Sequence, residues 1–344
     1  MRHALVLLSL CLLPSWLYGH AGGLDSNGGH VNRETGEYHC HREGCDLPII
    51  ATDSSIKVTS FNIQFLGNFK NRDDAALAAL VSDQDIVLIQ ELVAPPFAGT
   101  FPGGSLYRPD EESARFFNEM TSRGFDFVLS QEDTGTSDIE HVNSTATEWF
   151  VAFYKPEAVD VAEDLPNGFL ASDRFNNDSF ERVPYAFSFR TNDGNDFVII
   201  SVHLMPGTNY EERRREELTK IYEWVDDNDA IEKDFIIAGD MNIEDCDELG
   251  RLLGQGFNSL NNSCLTTNTN VRGPKPYDHI IHNGSGEIQS SFVVVDLIEA
   301  MRVPWALTSN DPYPGYPYNH NAFRVRYSDH HPVQFKINST NDDD

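Results

Sequence analysis

Basic residues are scarce in this 344-residue chain, 25 Lys and Arg against 54 Asp and Glu, for a formal charge of −29. That balance argues against the broad cationic face with which nucleic-acid proteins usually neutralise phosphates and release counterions. Any binding of a polyanion is expected to be weak and sensitive to salt. Long apolar runs are missing as well. Beyond residue 13 no segment approaches the ~20 uninterrupted apolar residues that a membrane span requires, so no stable membrane association is expected. No segment repeats, which argues against a repeat array.

Cysteines number only five, and their use depends on the N-terminus. There Arg2 precedes an apolar run from Ala4 to Leu13 and then Ser15, Gly19 and Ala21. This order predicts a secretory signal peptide over residues 1–19, with a cut after Gly19 or after Ala21. The protein is therefore expected to be secreted, to the periplasm or beyond the cell. Loss of the leader removes Cys11 and leaves Cys40, Cys45, Cys246 and Cys264, an even set suited to an oxidising compartment. The leader also takes Arg2, which brings the charge to −30.

Several short apolar runs end on a reactive side chain. Ile86 to Gln90 leads to Glu91, Phe197 to Val202 leads to His203, and Phe235 to Gly239 leads to Asp240. Such runs predict buried strands, and a strand end is where a rigid scaffold can converge functional groups. Around them lies an ordered series of motifs. It runs Ser60-Phe61-Asn62, Gln90-Glu91, Glu148, Arg182, His203, Asp240-Met241-Asn242, Tyr277-Asp278-His279 and Ser328-Asp329-His330-His331-Pro332. One Asp, Asn or His alone reads as a structural cap; the joint set does not.

The chemistry that needs this set is phosphodiester cleavage. Its transition state concentrates negative charge at phosphorus, which a hard divalent cation on carboxylate and amide oxygens can neutralise. Asn62, Glu91, Asp240, Asn242 and Asp329 offer such oxygens. A water must also lose a proton and a leaving oxygen gain one, a task for imidazoles with an unperturbed pKa near ~6.5. His203 and His330 fit, and each needs a partner on its far nitrogen to fix its tautomer.

Over residues 56–337 the ordered motifs resemble the endonuclease/exonuclease/phosphatase superfamily, most closely its secreted deoxyribonuclease I-like branch. The resemblance implies an α/β four-layer sandwich, two packed, mostly antiparallel β-sheets flanked by helices. It implies Glu91 as principal metal ligand, with Asn62, Asp240 and Asp329 beside it. Asp240 and Asn242 would hold the scissile phosphate, and Arg182 would clamp one of its oxygens. His330 backed by Asp278 would be the base that, with the metal, activates water, and His203 backed by Glu148 the acid. Mg²⁺ is the expected ion, with Mn²⁺ possible in its place and Ca²⁺ a structural supplement. DNA is the expected partner, cut internally by a monomeric enzyme. In DNA-cutting relatives an arginine and a tyrosine enter the minor groove, at the places held here by Val93 and Ala146. Related nucleases begin a disulfide at the position of Cys246, and the local pairs Cys246–Cys264 and Cys40–Cys45 are expected.

One domain is expected over residues 53–338, with helices at Arg72 to Ser82, Glu111 to Ser122 and Tyr210 to Asp226. In the last, Leu218, Ile221, Tyr222 and Val225 make an apolar stripe, while Arg213, Arg214 and Arg215 read as a solvated face. Asp311 to Tyr318 is an aromatic, proline-rich loop, either packed on itself or stacking on bases. Residues 339–344 form an acidic tail.

Residues 20–50 differ in kind. The glycines followed by Tyr38-His39-Cys40-His41 resemble a small YHYH-type module of exported proteins. His30, His39 and His41 could hold Zn²⁺, with Asp25 or His20 as a fourth ligand. A Cys40–Cys45 loop without metal and an unstructured leader are the alternatives. Two other functions stay open: a phosphodiesterase of phospholipid head groups or small esters, for which Phe97 and Phe101 would mark a membrane-inserting segment, and a non-enzymatic metal- or polymer-binding protein.

Overall fold

A computed structural model describes the backbone of Gly29–Val31 and Tyr38–Cys40, and residues 55–135, 141, 147–171, 177–283, 288–289 and 291–338. The leader, His41, the Cys40–Cys45 pair, Ala146 and the acidic tail lie outside the described residues, as do the side chains of His30 and His39. Gly29–Val31 pairs antiparallel with Tyr38–Cys40, setting His30 opposite His39 in the register. These strands belong to a first unit that ends at Asp53.

The second unit begins at Ser54. Its principal strands are β1 (Ile56–Leu66), β2 (Ile86–Leu92), β3 (Trp149–Tyr154), β4 (Tyr185–Thr191), β5 (Asp196–His203), β6 (Phe235–Asp240), β7 (Asp278–His282) and β8 (Val333–Ile337). One sheet has the order Val293–Val294, β8, β1, β2, β3, Asp126–Leu129. The other has the order Gly168–Phe169, β4, β5, β6, β7, Asn258–Ser259, with Val159–Val161 also on β4. Only β1 with β2 and β5 with β6 run parallel; every other pairing in the two sheets is antiparallel.

Alternation along the strands sorts the side chains into layers. Val58, Ile86, Leu88, Phe150 and Ala152 of the first sheet meet Phe187, Phe197, Ile199, Ile236 and Ile280 of the second in a shared core. The opposite faces take the helices. Phe61, Ile63, Val87, Ile89 and Val151 pack with residues of α1 (Asp74–Leu80) and α2 (Glu111–Thr121). Val198, Ile200, Val202 and Ile237 pack with residues of α3 (Glu211–Asn228) and α4 (Cys246–Leu252). Each fully buried Phe, Leu or Ile stabilises by roughly 1.5–3 kcal/mol before its ordering cost. The result is the expected sandwich, helix on sheet on sheet on helix.

Helix ends follow their caps. Asp73 caps α1 by accepting from the amide of Ala76, so the helix begins two residues later than predicted. The Cys246–Cys264 disulfide is present, Cα atoms 5.7 Å apart, and ties α4 to the loop that leads to β7. Closing a loop of this length contributes about 3 kcal/mol in the chain-entropy model.

The arginine cluster of α3 is not uniformly solvated, contrary to expectation. Arg214 is wholly buried, its Nε 2.8 Å from Glu248, with Nη1 donating to the carbonyls of Met205 at 2.9 Å and Gly207 at 2.8 Å. A buried guanidinium is tolerable because its charge is paired with Glu248 and its Nε and Nη1 donors are used. Arg213 and Arg215 stay toward solvent, beside Glu216 and Glu212. The aromatic loop divides: the hydroxyl of Tyr313 donates to the carbonyl of Ile298, whereas Tyr316 is 83 % exposed. Of the two phenylalanines singled out in the sequence, Phe101 packs against Tyr107 and Trp149, with ring centroids 4.9 and 5.8 Å away, whereas Phe97 is 44 % exposed.

Candidate active site

Between the sheets, side chains change character toward one end of the sandwich. Along β1 the inward residues run Val58, Ser60, Asn62; along β2, Ile86, Leu88, Gln90; along β5, Ile199, Ser201, His203; along β6, Ile236, Ala238, Asp240. The antiparallel neighbours start at that same end, with Glu148 just before β3 and Asp278 opening β7. Gln90 joins the sheets beneath the charged groups, accepting from Ser60 Oγ at 3.3 Å and donating to Ser201 Oγ at 3.2 Å. Below this polar layer the core is apolar; above it stand the ionisable groups.

Asp240 is the point of convergence. Its Oδ2 accepts from Asn62 Nδ2 at 3.0 Å and lies 3.4 Å from His330 Nε2 and 3.5 Å from His203 Nε2. Its Oδ1 accepts from the amide of Asn242 at 2.9 Å. The far nitrogen of each imidazole faces its own carboxylate: His330 Nδ1 is 2.8 Å from Asp278, and His203 Nδ1 is 2.9 Å from Glu148. Arg182 Nε stands 2.8 Å from the same Glu148 oxygen. Glu91 occupies a bulge at the end of β2 with φ +61°, where it accepts from Asn62 Nδ2 at 3.0 Å and from the amide of Phe65 at 3.0 Å. Gly239 precedes Asp240 at φ +149°; a Cβ there would lie 2.0 Å from the carbonyl oxygen of Val202. Only glycine lets β6 come this close to β5.

Burial and carboxylate crowding set the protonation of the cluster. Burial, reinforced by the charges of Asp329 and Glu148, raises Glu91 against the opposing pull of His203. Burial would raise Glu148 too, but His203 and Arg182 outweigh it and hold that carboxyl low. Burial and Arg182 press His203 down, yet Glu148 and Asp240 keep it above its ordinary value. Burial likewise presses on His330, but Asp278 and Asp240 raise it well above its ordinary value.

Eight of the predicted residues thus meet in one cluster: Asn62, Glu91, Glu148, Arg182, His203, Asp240, Asp278 and His330. Asn242 adjoins through its backbone, with φ +51° and its side-chain amide donating to the carbonyl of Leu204 at 3.1 Å. Asp329 stands further out, accepting from Gln64 Nε2 at 2.5 Å. Arg182 sets its Nε against Glu148 as an ion pair, and neither that Nε nor the buried Nη1 makes a hydrogen bond among the described residues. Val93, at the arginine position of the DNA-cutting relatives, is half-buried.

Sequence reasoning passed over the brace around these groups. Ser328 Oγ accepts from the amides of Gln64 and His330 at 3.2 and 3.1 Å and donates to the carbonyl of Asn62 at 2.7 Å. Glu217 of α3 accepts from the amides of Glu181 at 2.6 Å and Met205 at 2.9 Å, so one carboxylate anchors the segments that carry Arg182 and His203. Gln64 was detectable, since it shares the inward parity of Asn62; Glu217 carried no sequence signal.

The donor set fits a hard divalent cation. Glu91, His203 and Asp240 offer ligand atoms within 4.8 Å of one another, as do Asp240, Asp278 and His330. Asn62 Oδ1 and Asp329 Oδ1 are buried acceptors that receive no hydrogen bond among the described residues. Anionic and amide oxygens are what Mg²⁺, Mn²⁺ and Ca²⁺ prefer.

A two-sheet sandwich with carboxylate-backed imidazoles and oxygen ligands at one end defines a class of phosphoesterases. The model of the endonuclease/exonuclease/phosphatase family matches residues 59–330, and the chain belongs to that family. No curated protein matches it in sequence. Among solved structures it is similar to D. rerio TDP2 complexed with a single-strand DNA product, at 15 % identity and a TM-score of 0.52, over 83 % of this chain and 100 % of that one. The human Nocturnin catalytic domain with bound sulfate is similar at 16 % identity and 0.51, over 82 % and 93 %. A family protein from Bacteroides thetaiotaomicron is similar at 15 % and 0.50, over 82 % and 97 %. At these identities the likeness speaks to the fold.

One neighbour of the cluster predicts acid sensitivity. His279, wholly buried beside Ser259 Oγ at 3.1 Å, is pushed by that burial from 6.5 to about 4. The unfolded chain takes up this proton at the higher pH, so the stabilisation is complete above 6.5 and is lost as pH falls toward 4. The loss should reach about 3 kcal/mol. Urea midpoints measured across this range should fall less steeply for His279→Asn than for the unaltered protein; parallel curves would assign the acid lability to other groups.

Proposed function

We propose that the protein is a secreted, divalent-metal-dependent phosphodiesterase that hydrolyses DNA internally. The observation that carries this reading is the approach of His203 Nε2 and His330 Nε2, each backed by its own carboxylate, to the single Oδ2 of Asp240. Two such imidazoles on either side of one phosphate can serve as base and acid. Asp278 would hold His330 to accept a proton from water, and Glu148 would hold His203 to protonate the leaving oxygen. Glu91, Asp240, Asn62 and Asp329 would hold the cation, Mg²⁺ by preference, which when bound supplies neutralisation of the phosphate charge. Arg182 Nη1 and Asn242 would meet the remaining phosphate oxygens. The TDP2 relative crystallised with a DNA product supports DNA as substrate, and the apolar N-terminal run together with a disulfide supports export.

Mature protein should nick supercoiled plasmid in Mg²⁺, stop in EDTA, and resume when Mg²⁺ is restored. Folded, Mg²⁺-loaded protein that leaves plasmid intact but releases phosphocholine from sphingomyelin would transfer the same chemistry to a lipid head group.

A further inference from the structure

We propose that the cleft between the 270–272 turn and the 317–321 segment is a second substrate subsite, which holds the part of a nucleic-acid strand flanking the scissile phosphate through Arg272 and an aromatic wall of Tyr318 and His320. The proposal deepens the nuclease reading above and rests on it.

The cleft encloses about 560 Å³ and is lined by Asn270, Arg272, Tyr318, Asn319, His320 and Asn321. That volume is within the range of small-ligand sites. Its position is fixed by the candidate active site itself. The amide of Thr269 donates to the carbonyl of Asp329 at 2.7 Å, the amide of His331 to the carbonyl of Thr267 at 2.6 Å, and Asn268 bridges to His330. The segment before the turn therefore runs alongside Asp329 and His330, and a strand whose phosphate reached those residues would continue into the cleft.

The turn is braced without a ligand. Asn270 accepts from the amide of Gly273 through its carbonyl at 3.0 Å and from the amide of Arg272 through its side chain at 3.2 Å. The side chain of Asn268 donates from Nδ2 to the carbonyl of Gly273 and accepts at Oδ1 from the amide of Lys275, both at 2.9 Å. A preformed wall loses little entropy on binding. On the other side the hydroxyl of Tyr318 is 3.0 Å from His320 Nδ1, and the Tyr318 ring leans on Phe323 with centroids 5.7 Å apart.

Charge supplies the remaining argument. Arg272 is exposed and forms no ion pair among the described residues, and Arg324, four residues along from His320 and outside the cleft lining, pairs with no carboxylate among them either, its Nε donating to Asn321 Oδ1 at 3.3 Å. On a chain of net charge −29 such guanidinia mark where an anionic strand meets least repulsion. Amides of Asn270, Asn319 and Asn321 can hydrogen-bond to sugar and base, and aromatic side chains give a base a flat face.

The test uses the mature, Mg²⁺-loaded protein with two substrates, a single-stranded oligonucleotide and bis(p-nitrophenyl) phosphate, which has no nucleotide flank. For Arg272→Ala and Tyr318→Leu, the ratio of kcat/KM on the oligonucleotide to that on the small diester should fall about tenfold, carried by KM, as for a lost charged contact or a lost stacking face. Arg272→Lys should recover most of the loss, and the Arg272→Ala deficit should shrink as KCl is raised. Equal losses on both substrates, or none on either, overturn the subsite. Unaltered protein that cleaves the small diester and leaves the oligonucleotide whole overturns the nuclease reading and the subsite with it; one that cleaves both, with variants that keep its ratio, overturns the subsite alone.

Discussion

Asp240→Asn should lower kcat/KM on plasmid by on the order of 10³-fold, about 4 kcal/mol of transition-state stabilisation. The exchange is nearly isosteric, so the loss is one of charge and of acceptor. Oδ2 faces three nitrogens, those of Asn62, His203 and His330, at 3.0 to 3.5 Å, and Oδ1 takes the amide of Asn242. An asparagine must either present its NH₂ to three nitrogens or give up the amide of Asn242. Both imidazoles also lose a carboxylate that helps to hold them above their ordinary pKa. Of the oxygens that would receive the cation, the most central one disappears, and Mg²⁺ affinity by calorimetry should weaken together with turnover. Near-normal turnover with unaltered Mg²⁺ binding would reduce Asp240 to a structural tether. A thermal melt guards the interpretation, since the claim concerns folded protein.

Much of this was legible because two regular patterns coincide. A strand with period two that ends in an inward polar residue names both the core face and the candidate group, as Ile199, Ser201 and His203 do. The disulfide was legible because its partners are near in sequence. What escaped depends on distant partners. Ser328 joins Gln64 from 264 positions away, and Arg214 is buried only because Glu248 of another helix reaches it. Local charge pattern describes Arg213, Arg214 and Arg215 alike, whereas burial separates them. The left-handed backbone of Glu91 was equally hidden, since nothing about a glutamate announces a bulge. Arg72, predicted to open the first helix, instead lies outside it, paired with Glu112 at 2.5 Å and donating to the carbonyls of Gln64 and Tyr327.

The geometry around the two histidines is nearly symmetric, and leaving-group chemistry can separate their roles. On DNA the departing oxygen needs a proton, whereas a nitrophenolate leaves without one. His203→Ala, if it removes the acid, should lose about 10²-fold or more on plasmid and far less on bis(p-nitrophenyl) phosphate. His330→Ala, if it removes the base, should lose a similar factor on both, because water must be deprotonated either way. The double variant should fall little further on plasmid than the worse single one, since base and acid act on one transition state. Both sites are buried, and alanine leaves Asp278 or Glu148 short of a partner, so His203→Gln and His330→Gln, which keep a donor, supply folded controls. The opposite substrate pattern would exchange the roles, an outcome with its own physical basis: Arg182 opposes the hold of Glu148 on His203, whereas among the described residues no arginine pairs with Asp278. Losses that stay below tenfold on both substrates, with melting unchanged, would remove both imidazoles from proton transfer.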